Sequence, residues 1–275
     1  MMDMTREANT REANERAPAI EVWHAPAASD HPGPTEAFCE RLLLAEERVR
    51  ADRFRVASAR HQHVIGRGMA RVLLAAGRCQ THEIDFRLLE HGKPIVAAPM
   101  TCRRAFNVAH THGMVVCGLG QPDQWLGVDV EWMDRRTDPA LARRYFAPAE
   151  IDQLDATKSE TEHRELFLKL WTLKEAFIKA IGTGLYTPLD RFAFEDAAGE
   201  SPKLVVRDAE LTRGRQWHFE SFVPRAGFVA AVAVGVSVGH ASDAGEGFAG
   251  LSPDLTSKLK LSDFERWVSE QSPPG

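Results

Sequence analysis

Several short stretches of this chain carry residue types that could do chemistry. In Gly127-Val128-Asp129-Val130-Glu131, alternation along a strand puts Asp129 and Glu131 on one face and sends Val128 and Val130 into the core. Two carboxylates aimed the same way repel unless a cation sits between them. Hard oxygen ligands of this kind suit Mg²⁺, which completes its shell with water and phosphate oxygens. Taken singly, the pair reads more readily as a solvated strand face. In Trp171-Thr172-Leu173-Lys174-Glu175-Ala176-Phe177-Ile178-Lys179, the residues Trp171, Glu175 and Lys179 share one helical row. Such a row is either a salt-bridged surface or a cleft edge that sets a carboxylate beside a metal and an ammonium beside a phosphate. Phe106-Asn107-Val108-Ala109-His110 brings an imidazole to a strand end next to the Thr111 hydroxyl. The spacing His110-x-His112 would suit zinc, but no third ligand motif completes it. Lys93, in the turn Gly92-Lys93-Pro94, is by itself a plain solvated lysine. Arg48, Arg50 and Arg53 form a basic helix face that holds an anion or nothing, and His61-Gln62-His63 is ambiguous in the same way.

The elements that must position these residues follow from periodicity. Ile20–His24 reads as a short strand, Thr35–Arg53 as a helix rich in Leu, Glu and Arg, and Ser58–Ala76 as a second helix with Val64, Met69, Val72 and Leu73 on its apolar side. Strands follow at Ile84–Leu89, Ala105–Ala109 and Met114–Leu119, with polar turns at His91–Pro94 and His110–Gly113. A strand at Trp125–Trp132 then leads into short helices, Pro139–Tyr145 and Ala149–Leu154. The long helix Glu160–Ile181 buries Leu166, Leu170, Leu173, Phe177 and Ile181 and ends at Gly182 and Gly184. Four strands close the order, at Phe192–Phe194, Leu204–Arg207, Gln216–Val223 and Phe228–Val236. Helices and strands are segregated within each half, which predicts an α+β fold of two similar lobes, 20–124 and 125–240, with the site in the cleft between them.

The totals bound the class. The chain has 275 residues, 44% hydrophobic and 27% charged, enough for a substantial core, and a net charge of −5 argues against a dedicated nucleic-acid binder. The longest apolar run, Phe228–Val236, is far too short to span a membrane, and the first residues hold no apolar stretch that could serve as a signal peptide. A cytoplasmic protein is expected. Cys39, Cys79, Cys102 and Cys117 contain no C-x-x-C pair and read as buried or incidental thiols. Thr-Arg-Glu-Ala-Asn occurs twice, at 5–9 and 10–14, within an expected disordered leader over 1–19. Residues 241–275 read as a linker and peripheral tail, in which Leu259, Leu261, Phe264 and Trp267 form one amphipathic turn that docks back. There is no P-loop, no G-x-S-x-G elbow, no H-E-x-x-H and no kinase signature.

Together and in this order, the motifs resemble those of the 4′-phosphopantetheinyl transferases of the long, two-lobed (Sfp-type) class. That family shows G-[VI]-D-[VI]-E and, roughly forty residues later, [FW]-x-x-K-E-[AS]-x-x-K. Here Gly127–Glu131 and Trp171–Lys179 match, 44 residues separate Glu131 from Glu175, and Gly92-Lys93-Pro94, Phe106-Asn107-x-x-His110 and Gly182-x-Gly184-Leu185 are also similar. The resemblance implies a fold with a pseudo-two-fold axis and transfer of the phosphopantetheine arm of coenzyme A to a carrier-protein serine, releasing adenosine 3′,5′-bisphosphate and requiring Mg²⁺. It implies Asp129, Glu131 and Glu175 as Mg²⁺ ligands, Lys179 on the leaving phosphate, His110 on a phosphate of coenzyme A, Lys93 along the nucleotide, and Arg48 and Arg50 near the 3′-phosphate.

The serine's base is left open between Glu175, Glu150 and water, and Glu150 reads equally as a first-turn residue of its helix. Ala109 stands where the family often has Ser or Thr, so Thr111 is the candidate to supply that phosphate contact. His61-Gln62 stands where some members carry an arginine. The same carboxylates would serve a Mg²⁺-dependent phosphohydrolase acting on a diphosphate, and a degenerate member would only bind carriers. A monomer acting on an apo acyl or peptidyl carrier protein is expected, in fatty acid, polyketide, peptide or aminoadipate-type pathways.

Overall fold

The structure, a computed structural model, describes residues 20–27, 31–199, 202–237 and 259–271. The leader with its duplication and most of the glycine-rich linker lie outside them.

Strand β1 (Ile20–Pro26) leads to helices α1 (Pro34–Leu42), α2 (Ala45–Ala51) and α3 (Ala57–Ala75). The hairpin β2 (Asp85–Leu88) and β3 (Pro94–Ala98) follows, then β4 (Phe106–Thr111) and β5 (Met114–Leu119). The second half runs β6 (Trp125–Trp132), α4 (Pro139–Tyr145), α5 (Pro148–Asp155), α6 (Glu160–Ile181), β7 (Phe192–Glu195), β8 (Lys203–Val206), β9 (Arg215–Phe222) and β10 (Phe228–Ser237). Strand β11 (Leu259–Asp263) and helix α7 (Phe264–Gln271) return to the first half. The fold is α+β.

Two sheets carry the architecture. One has the order β11-β1-β5-β4, the other β6-β10-β9. Strand alternation gives each sheet two apolar faces. Ile20, Val22, Ala109, Met114 and Val116 of the first sheet share one core with Leu126, Val128, Val130, Ala230, Val232 and Val234 of the second. The opposite face of the first sheet packs on α1, α3 and α7. The opposite face of the second packs on α6, where Leu170, Leu173 and Phe177 are fully buried. Strand β10 lies between β6 and β9 with apolar cores on both faces, which accounts for the continuous run Phe228–Val236.

The structure departs from the periodicity in four places. Strand β3 (Pro94–Ala98) forms where only a turn at His91–Pro94 is expected, and pairs with β2 as a hairpin. The expected helix over 35–53 is broken: Leu43 and Leu44 are extended, Leu43 is buried, and Glu47 caps α2 by accepting from the Leu44 N–H at 2.9 Å. Arg71 of α3 holds that same carboxylate with two hydrogen bonds of 2.8 Å, a partner 24 residues away. The turn expected at His110 starts later, so His110 and Thr111 belong to β4. The C-terminal segment is more than a peripheral turn. Leu259–Asp263 pairs in parallel with β1, and Phe264 is fully buried against Trp23 and Phe38.

Candidate active site

Helix α6 crosses β6 on the face that carries Asp129 and Glu131. Gly127 makes the crossing possible: a Cβ there would overlap the carbonyl oxygen of Ala176 and the amide of Ala180. Close approach at this point sets Lys179 Nζ 2.6 Å from Asp129 Oδ1, with Glu175 one turn earlier on the same row. Trp171, Glu175 and Lys179 are half-buried while their helical neighbours are buried, so the row is the accessible edge of α6. Gly182 then ends α6 in the left-handed region, at φ 74°, as a side chain could not do without strain.

Strand β4 closes the other side. Asn107 Oδ1 accepts from the Val128 N–H at 2.9 Å, tying β4 to the edge of β6 by a side chain where no ladder exists. Ala109 and Thr111 share the Asn107 face. Ala109 is buried in the core between the sheets. Thr111 reaches farther and donates its hydroxyl to Glu131 Oε2 at 3.1 Å, while its carbonyl accepts from Gln62 Nε2 at 2.7 Å. His110 reaches solvent on the other face of the strand, in the field of His63 and of Lys179 and Asp129.

The electrostatics are those of carboxylates crowded out of water. Burial raises Asp129, against the pull of Lys179. Glu131 is raised by burial and then by Asp129, against Arg135 and Thr111, and Glu175 by burial and then by Asp129, against Lys179. Arg135 pairs with Glu131 and lies over the Trp171 ring, 5.7 Å from its centroid. Asp129 Oδ2 is buried without a hydrogen-bond partner. Among the described residues no three His, Cys, Asp or Glu side chains converge as a ready-made metal cage; Asp129 is paired with Lys179 and Glu131 with Arg135. The donor set nonetheless fits a hard divalent cation: all oxygen, one of them an orphan, and mutually repelling. On the opposite side, desolvation and then Lys179 lower the His110 imidazole, against Asp129. Burial, then Arg67 and Arg50, push His63 down to about 4.

The remaining candidates separate. Arg50 contributes to the positive field at His63. Arg48 does not join it; its guanidinium caps the end of α1 through the carbonyls of Leu43 and Arg41. Lys93 is not a solvated lysine: its Nζ donates to the carbonyls of Leu126 at 3.0 Å and Ala180 at 2.6 Å, stapling the β2–β3 hairpin to β6 and α6.

Glu150 is corrected. It is fully buried, accepts from the Ala147 and Phe194 amides at 2.9 Å, and pairs with the equally buried Lys174 at 2.7 Å. With both oxygens committed in the core it cannot meet a substrate, and it stands as the first-turn structural residue instead. Lys174 completes the pair by donating to the carbonyls of Leu189 and Phe192. Its place beside Glu175 in the motif was the only signal for it. Arg135, four residues after Glu131, left none beyond i,i+4 spacing.

The profile of the 4′-phosphopantetheinyl transferase superfamily matches residues 126–233, the span from β6 through β10. A phosphopantetheinyl transferase of Thraustochytrium sp. is 34% identical over 214 residues, covering 73% of this chain and 73% of that protein. The 4′-phosphopantetheinyl transferase HetI of Nostoc sp. is 28% identical over 218 residues, covering 78% and 87%. The transferase Sfp of Bacillus subtilis is 32% identical over 156 residues, covering 55% and 66%. With a relative this similar over nearly three quarters of both chains, the chain belongs to the 4′-phosphopantetheinyl transferase superfamily.

Proposed function

We propose that the protein transfers the 4′-phosphopantetheine arm of coenzyme A to a serine of an apo carrier protein, releasing adenosine 3′,5′-bisphosphate. The observation that carries this is the Lys179–Asp129 pair where α6 crosses β6, with Glu131 and Glu175 both in the field of Asp129, in a chain of this family. In this reading Asp129, Glu131 and Glu175 hold Mg²⁺. When bound, the cation offsets negative charge on the diphosphate as the bond to the leaving group breaks. Lys179 exchanges Asp129 for the phosphate that departs. Thr111 orients Glu131 through its hydrogen bond. His110 binds a phosphate of coenzyme A from the β4 side, with Arg50 supplying positive potential near it. Lys93 fixes the hairpin that borders the nucleotide. With Glu150 withdrawn, deprotonation of the serine falls to Glu175 or to water.

Two lobes, 20–124 and 125–240, are part of the same proposal, supported by the shared order of strand, helices and antiparallel strands in each half. Among the described residues no helix is long and apolar enough to cross a membrane. A monomer acting in the cytoplasm on a soluble carrier fits that.

Incubation with coenzyme A, Mg²⁺ and a panel of apo carriers, read by intact mass, tests the proposal. Transfer adds about 340 Da to the carrier. Breakdown of coenzyme A with no labelled carrier would make the protein a diphosphate hydrolase. Intact coenzyme A with every carrier unlabelled would leave a carrier binder without this chemistry.

A further inference from the structure

Cys79 and Cys102 are brought together from opposite ends of the β2–β3 segment. Cys79 follows the last turn of α3, where Ala76 is left-handed at φ 39° and the Arg78 amide bonds to the Ala75 carbonyl. Cys102 ends a short 3-10 turn, its amide bonded to the Pro99 carbonyl. Their sulfurs lie 2.6 Å apart. Sulfurs this close are direct neighbours, which puts the two thiols within reach of one disulfide bond. Cys102 is fully buried and Cys79 half-buried, which makes Cys79 the sulfur an oxidant reaches first. Cys39 on α1 and Cys117 on β5 are fully buried.

We propose that Cys79 and Cys102 are an oxidative modification site, a dithiol that a peroxide converts reversibly to a disulfide clamping the β2–β3 hairpin. The Cys79 thiolate attacks one peroxide oxygen, breaking the O–O bond and forming a sulfenic acid. Hydroxide leaves and takes up the proton released from Cys79, giving water. The Cys102 sulfur then attacks the sulfenic sulfur; the S–S bond forms, and the hydroxyl departs with the Cys102 proton as a second water. The two thiols lose two electrons and the peroxide gains them. An external dithiol reverses the step by exchange. The bond closes a loop of 24 residues that includes Lys93.

Burial and the hydrogen bond to Cys102, helped by Glu83 and opposed by Arg78, hold the Cys79 thiol up at about 11. Thiolate is therefore scarce at neutral pH and oxidation accelerates by about tenfold per pH unit.

The test treats the full chain with excess hydrogen peroxide at about pH 8.5 and follows intact mass, non-reduced peptide maps and thermal unfolding. A loss of about 2 Da, one cross-linked peptide joining Cys79 to Cys102, and a midpoint raised by roughly 5–10 °C and returned by dithiothreitol are expected. Cys79→Ser, at the half-buried partner, abolishes the cross-link and the shift, and Cys102→Ser does the same. Gain of oxygen at Cys79 with no cross-link overturns the proposal. So does a bond to Cys39 or Cys117, or a Cys79–Cys102 bond that leaves the midpoint where it was.

Discussion

At the scale of single residues, Glu150 and Glu175 separate by their partners. Glu150 has two amides and an ammonium on its oxygens, all out of water. Removing it strands the Lys174 charge in the core. Glu150→Ala therefore lowers the unfolding free energy by about 3–5 kcal/mol in urea titrations, while turnover per folded molecule stays within about twofold. Burial and then Asp129 raise both Glu131 and Glu175, and at Glu131 the Arg135 pair and the Thr111 hydrogen bond offset that cost. Glu175→Ala therefore holds or raises the melting midpoint and Glu131→Ala leaves it level or slightly lower, while turnover with saturating carrier falls at least about a hundredfold in each. Near-wild-type rates in both variants would remove them from the metal site. Such a contrast is only half legible in the sequence. The facing of Asp129 and Glu131 follows from strand alternation, and the row Trp171–Glu175–Lys179 from helical spacing. For Glu150 the first-turn place is legible and the burial is not, because its partner amide at Phe194 is 44 residues away and its lysine is read as part of another motif.

At the scale of elements, the site depends on how closely α6 lies on β6. The Ala176 carbonyl occupies the space that a side chain at 127 would need. Gly127→Ala must lift the helix from the strand, which opens the packing beneath Leu173 and Phe177 and parts Lys179 from Asp129. The expected cost is about 2–4 kcal/mol of stability together with a fall in turnover, read by melting and by carrier labelling on the same sample. Asn107→Ala removes the acceptor for the buried Val128 amide and costs about 1–3 kcal/mol. Most of these elements are readable from periodicity, since the second half buries one stripe of α6 and alternate residues of its strands. What periodicity misses is set by distant partners. The break between α1 and α2 comes from Glu47 capping α2 while paired with Arg71. Strand β11 becomes a strand only because β1 offers it an edge.

At the scale of the whole molecule, Lys93 joins the first half to the second. Burial holds its ammonium down at about 7, from 10.5, with carbonyl oxygens rather than a carboxylate as its partners. A neutral amine keeps two N–H groups, enough for both carbonyls, so losing the proton costs the staple nothing. The sign follows from linkage. Between pH 7 and 10.5 the unfolded chain binds this proton more tightly than the folded one, so the contribution to stability is complete above the unfolded value and is lost as pH falls toward 7. One proton changes stability by at most about 1.4 kcal/mol per pH unit. Between pH 7 and 8.5 the wild type should gain up to about 2 kcal/mol relative to Lys93→Met, because groups titrating elsewhere cancel in the difference. Urea unfolding of both proteins at the two pH values measures it. A difference that is flat across that window would show the ammonium to be held charged against the two carbonyls. The hairpin would then be anchored by a charge that the anionic nucleotide also feels, and affinity for coenzyme A would keep the same value from pH 7 to 8.5 instead of weakening as Lys93 gives up its proton.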